Sequence, residues 1–179
     1  MVNVRKLFKV ASVFVTVAFL AFLLILTSNN QQMLAAPAVA ALPPPPGQSA
    51  AASSLPAEVQ ITTDDLAKLL QAPGGVKPLL IHVGFHPLYA QAHIPGSGYI
   101  GPASQPEAVE KLRNRVERLP RQKFIVLYCG CCPWSHCPTL RPAYEALHGM
   151  GFIKVKVLYI PNNFGQDWAD RGFPVERGE

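Results

Sequence analysis

Four cysteines fall within nine residues of this 179-residue chain, in the run Cys129-Gly130-Cys131-Cys132-Pro133-Trp134-Ser135-His136-Cys137-Pro138. Thiols this close together support three chemistries. A cysteine held as a thiolate is a nucleophile toward sulfur or carbon. A C-x-x-C pair such as Cys129 with Cys132 exchanges disulfides. Cys131, Cys132, Cys137 and His136 are soft or borderline ligands suited to Cu(I) or Zn(II). No second C-x-x-C or His pair stands elsewhere, and adjacent cysteines seldom share one tetrahedral ion. No bound cofactor is therefore expected, with copper or zinc on those four residues as the metal alternative. A structural disulfide between two of Cys131, Cys132 and Cys137 is compatible with a reactive Cys129.

The elements around this loop are set by periodicity. Residues 124–128 (FIVLY) form a continuous apolar strand that runs straight into Cys129, as in a sheet covered on both faces. Residues 59–61 and 79–83 (LLIHV) read as earlier strands and residues 153–159 as a later one. Thr62 or Thr63 can cap a helix carrying Leu66, Leu69 and Leu70, which Pro73-Gly74-Gly75 ends. Ser104 and Glu107 have capping-box spacing before Val109, Leu112, Val116 and Leu119. Leu140, Ala143, Leu147 and Met150 make a further helical stripe, and a last helix is expected over residues 164–171. Strands alternating with helices predict an α/β fold, a central parallel sheet with helices on both faces. Chemistry in such sheets sits at the carboxyl ends of the strands. Cys129 there would gain amides and a helix N-terminus that favour its thiolate, and His136 could add a proton.

Three parts of the chain are expected: residues 1–28, a signal anchor or signal peptide; residues 29–56, an Ala/Pro-rich linker; and residues 57–179, the domain. Arg5, Lys6 and Lys9 precede residues 10–27 (VASVFVTVAFLAFLLILT), eighteen residues without a charge. That run spans roughly 27 Å, close to the hydrocarbon thickness of a bilayer. Basic residues on its N-terminal side place the linker and the domain on the outer, periplasmic or extracytoplasmic face. The nearest small-residue cleavage site, Ala38-Val39-Ala40, is distant, so an uncleaved membrane anchor is expected rather than release of a soluble product. Pro43 to Pro46 favour an extended spacer. The formal charge is +5, but removing the three leader residues leaves thirteen basic against eleven acidic groups. That balance, with no basic run, sets nucleic acid aside as a partner.

Three stretches together resemble the rhodanese family. The first is Leu79-Leu80-Ile81-His82-Val83, then Tyr89 and Ala92-His93-Ile94-Pro95-Gly96-Ser97, similar to that family's strand, helix and GHIPGA segment. The second is Ile125-Val126-Leu127-Tyr128-Cys129, similar to the strand that delivers its catalytic cysteine. The third runs from Val157-Leu158-Tyr159 through Trp168 to Gly172-Phe173-Pro174-Val175, similar to a closing GLPV. The resemblance implies a single rhodanese-like domain and a sulfurtransferase in which Cys129 takes a sulfane sulfur from a small donor such as thiosulfate and passes it to a thiol. Gly130, Cys131, Cys132, Trp134, Ser135, His136 and Cys137 would bind the sulfur anion or resolve the persulfide, with amides of residues 130–135 as donors. Two departures stand out. His82, Val83 and Gly84 occupy the place of Asp-x-Arg, and the loop lacks the family's basic residues. The alternatives are a thiol–disulfide protein using the CGCC turn, or a non-catalytic module that binds metal or a partner. His93 is expected to be structural and Trp168 core; His82 and His86 are expected to make satisfied polar contacts, with a place in the crevice as the alternative, and Asn162-Asn163 to face the pocket.

Overall fold

The structure is a computed structural model that describes residues 55–178. The expected anchor and nearly all of the linker lie outside the described residues. Among the described residues, no helix is long and apolar enough to cross a membrane.

Five parallel strands form one sheet in the order β1-β5-β4-β2-β3. They are β1 (Gln60–Thr62), β2 (Leu79–His82), β3 (Gly98–Tyr99), β4 (Ile125–Tyr128) and β5 (Val155–Tyr159). The helices between them are α1 (Thr63–Gln71), α2 (His86–Gln91), α3 (Pro106–Val116) and α4 (Leu140–Gly149). Central β4 is buried at all four positions. Its Ile125 and Leu127 join Leu112, Leu147 and Phe152 in one apolar layer, under α3 and α4. Val126 and Tyr128 point the other way, to Leu66, Leu158 and Trp168. A strand covered on both faces needs an unbroken apolar run, which is what FIVLY supplies.

Local signals set the boundaries. Thr62 caps α1, its side-chain oxygen accepting the Asp65 amide at 3.1 Å, with Asp64 and Asp65 at the positive end of the helix. The capping box expected at Ser104 does not form. Pro106 takes the first turn with its preset φ, and Gln105 becomes an N-cap without a side-chain bond. Strand β1 starts one residue later than expected because Val59 closes a 3₁₀ turn, Ala57–Val59. Ile153 is 72 % exposed and precedes β5 instead of opening it. The expected last helix is a single π turn, Gly165–Ala169, whose Asp167 carboxylate accepts the Asn162 and Asn163 amides.

The strand order fixes where a site can form. The chain leaves β2 toward β3 at one edge and leaves β4 toward β5 on the opposite side. The carboxyl ends of the neighbours β2 and β4 therefore flank a switch point, where the connecting loops diverge and leave a crevice. His82 and residues 129–131 line it.

Candidate active site

Cys129 comes directly after the last residue of β4, and its side chain is buried apart from the edge it gives to a cavity of about 750 Å³. The same cavity is lined by His82 from β2, by Gly130 and Cys131 from the loop, and by Asn163 and Phe164 from the segment after β5. The loop is tied to that last segment twice. The Phe164 amide donates to the Gly130 carbonyl at 3.0 Å, and the Trp134 amide donates to the Pro161 carbonyl at 3.1 Å.

Two glycines make the sulfur accessible. Gly130 has φ +81°, and a Cβ there would meet Phe164 Cβ at 2.7 Å, so only glycine allows the chain to turn back beneath Phe164. A Cβ on Gly84 would stand 2.8 Å from Cys129 Sγ and 3.0 Å from His82 Cε1. The position where the family pattern carries arginine is therefore filled by the cysteine's own sulfur, and a side chain at 84 would have to displace it.

The turn at Gly130 brings Cys131 Sγ to 2.8 Å from Cys129 Sγ, with Cys132 Sγ 3.5 Å beyond Cys131. All four thiols are free, so the structural disulfide considered among Cys131, Cys132 and Cys137 is absent here. The neighbouring thiols of Cys131, Cys132 and Cys137, together with burial, push the Cys129 thiol well up from the ordinary range. Cys137 is pushed down by the neighbouring Cys129 and Cys131 thiols, and Thr139 adds a further bond, its hydroxyl 3.4 Å away. Cys132 is likewise lowered by Cys129. Cys131 feels a lowering bond from Cys129, outweighed by Cys137, burial and Cys132, and is pushed up to about 12. The cluster thus favours a thiolate on Cys137 or Cys132 over one on Cys129.

His82 stays neutral and oriented. The Gly84 amide donates to its Nδ1 at 3.3 Å, which leaves the proton on Nε2 to donate to the Cys129 carbonyl at 3.1 Å. Burial lowers its pKa to about 4, against the raising effect of that carbonyl. It holds the loop backbone and does not supply charge.

The remaining expected site residues divide. Trp134 is buried, with its ring edge-on to Tyr159 at 5.1 Å, and plugs the back of the loop. Cys137 is also buried. Ser135 and His136 are exposed and bond each other at 2.8 Å. Among the described residues, no group of three or more His, Cys, Asp or Glu is arranged to hold a metal ion. The expected row of amides over residues 130–135 is shorter: Pro133 has none and the Trp134 amide is taken, while those of Gly130, Cys131 and Cys132 have no backbone acceptor. Nor does a helix begin directly after the cysteine. A 3₁₀ turn, Trp134–His136, intervenes, and α4 starts only at Leu140.

Two features were not legible in the motifs. Phe164 forms a wall of the cavity, and Arg177 reaches it from the C-terminal tail. The tail is fastened by an antiparallel bridge between His93 and Glu176, at 2.9 and 2.8 Å, and by the Gly178 amide on Ala90 O. His93 itself is structural, stacked on Tyr89 and bonded to its carbonyl.

A model of the rhodanese-like domain matches residues 62–159, more than half of the chain. The chain belongs to the rhodanese-like family. The matched region ends before the segment that carries Phe164 and Arg177, so the far wall of the cavity lies beyond it. Among solved structures, this rhodanese-like domain is similar to the Alr3790 protein of Anabaena sp., with 21% identity and TM-score 0.50 over 66% of this chain and 92% of that one. That likeness supports the fold. The BH2092 protein of Bacillus halodurans aligns at 23% identity and TM-score 0.49, over 66% of this chain and 76% of that one. A thiosulfate sulfurtransferase from Pseudomonas aeruginosa aligns at 26% identity and TM-score 0.48, over 67% of this chain and 19% of that one. No curated protein matches the chain in sequence.

Proposed function

We propose that this rhodanese-like domain is a sulfurtransferase that carries a sulfane sulfur as a persulfide on Cys129. The observation that carries the reading is the place of Cys129: the end of β4, at the switch point, with its sulfur on the cavity beside three amides without backbone acceptors. Thiosulfate serves as the donor. As Cys129 attacks the outer sulfur, its proton passes to the thiolate held by Cys132 or Cys137. The bond from sulfane sulfur to the sulfonate breaks, sulfite leaves with the electron pair, and a Cys129 persulfide remains. The amides of Gly130, Cys131 and Cys132 stabilise that anion. A thiol entering the cavity then accepts the sulfur. The step needs no metal or cofactor.

Sulfite assay of the reduced full-length protein mixed with thiosulfate, with mass spectrometry before and after cyanide, tests this. One equivalent of sulfite per protein is expected from wild type and none from Cys129→Ser, and any sulfur still held by the protein should sit on Cys129 and leave as thiocyanate. A wild-type protein that neither releases sulfite nor gains sulfur overturns the reading.

We further propose that the domain is tethered on the outer face of the membrane, supported by the basic flank and apolar run of residues 1–27. A full-length product recovered in the membrane fraction is expected, whereas a shortened soluble product would refute the anchor.

A further inference from the structure

Cys131 is held against Cys129 by the turn at Gly130, which the Phe164 amide fastens through the Gly130 carbonyl. Gly130 stands at positive φ under Phe164, and the two flanking sulfurs end 2.8 Å apart on the cavity wall. Reacting atoms about 3–3.5 Å apart already form a near-attack pair. Cys132 stands one sulfur further off, and Cys137 is turned to Thr139 behind the loop.

We propose that Cys131 resolves the Cys129 persulfide within the loop, so that the domain reduces sulfane sulfur to hydrogen sulfide; this rests on persulfide formation at Cys129. Cys131 Sγ attacks the inner sulfur of the persulfide. A Cys129–Cys131 disulfide forms, the bond to the outer sulfur breaks, and hydrosulfide leaves with the electron pair. The Cys131 proton passes to the outer sulfur as it leaves, which supplies the hydrogen of the hydrosulfide. The two cysteine sulfurs are oxidised by one electron each and the sulfane sulfur is reduced by two. An external dithiol then attacks Cys131, which lies partly exposed on the cavity wall, and is itself oxidised to a disulfide as both cysteines are released. An attacker fixed in place acts at an effective concentration of roughly 10⁵ M or more, which a diffusing acceptor cannot match. Where this closure outruns transfer to an entering thiol, the partner is a dithiol reductant that reopens the loop.

The test is a single turnover of the full-length protein with thiosulfate and no reductant. Wild type is expected to release one equivalent of sulfide and one of sulfite, then stop until a dithiol is added. Alkylation afterwards should mark Cys132 and Cys137 but neither Cys129 nor Cys131. Cys131→Ser should instead retain one sulfur on Cys129 and lose sulfide release, while Cys132→Ser, at whatever rate, should still release sulfide and end with Cys129 and Cys131 blocked. Wild type that keeps a stable Cys129 persulfide with the other three thiols free overturns the proposal and leaves sulfur transfer standing. Blockage of Cys132 in place of Cys131 overturns the assignment of Cys131. If no variant takes up sulfur, the reading of Cys129 itself has failed. The wild-type alkylation pattern decides the case even if Cys131→Ser misfolds.

Discussion

Residues 129–131 and residues 134–137 are two halves of one loop, drawn from the same unusual composition, and they do opposite things. The first half faces a cavity. Its neighbours are stripped of side chains at Gly84 and Gly130, and the amides of residues 130–132 have no backbone acceptor. The second half is fastened, with Trp134 buried on Tyr159 and bonded to Pro161, and Cys137 turned to the fully buried Thr139. Four similar thiols therefore have unequal chemistry. Cavity access selects Cys129 and Cys131 for reaction, and the closed half keeps charge and geometry for them. Thiol reactivity is set by surroundings more than by count.

The comparison breaks most visibly at its anchor. Trp134→Ala removes a buried indole, and truncations of this kind cost about 3 kcal/mol or more. For a domain of this size the melting temperature should fall by roughly 10 °C. Thermal unfolding monitored by circular dichroism measures it. A shift of only a degree or two would mean that Cys137 and Thr139, not Trp134, hold the closed half.

A second effect belongs to the open half. His82 has its pKa lowered by burial to about 4 in the folded protein, from 6.5 when exposed. Between those values the unfolded chain binds the extra proton, so stability rises with pH across the window. His82 thus contributes stability that is complete above pH 6.5 and lost as pH falls toward 4. The loss approaches about 3 kcal/mol for a shift of this size. Urea unfolding at a series of pH values should show this slope, and His82→Gln should flatten it. An unchanged slope in that variant would show that another group titrates.

Much of this was readable from the chain. FIVLY had to be central, because only a strand buried on both faces is apolar at every position. Placing Cys129 directly after it put the cysteine at the carboxyl edge. The loop's internal division was less legible, since Cys131 and Cys137 look alike in sequence and differ only in what Gly130 and Thr139 make them face. Ser104 failed as a cap because a proline two residues on took the helix start. Arg177 gave no local signal: a lone arginine near the end of a chain joins the site only through the pairing of Glu176 with His93.

The smallest expected effect comes from that arginine. The loop lacks the basic residues of the family pattern, and Gly84 leaves no room for one beside the sulfur. Arg177 enters the cavity lining from outside the loop, with Asp170 as a counter-charge on the same wall. An exposed cation attracts a dianionic donor only weakly, by at most about 1 kcal/mol, and salt screens the attraction. Arg177→Gln should therefore raise the KM for thiosulfate by roughly two- to fivefold at low salt, leave kcat unchanged, and be rescued by Arg177→Lys. Asp170→Asn should shift KM the other way. Loading of Cys129 from a neutral organic trisulfide should ignore both substitutions. If KM for thiosulfate is the same in Arg177→Gln at low and high salt, the tail only closes the fold. Donor selection would then rest entirely on the amides of residues 130–132, and the open half of the loop would be complete without help from the rest of the chain.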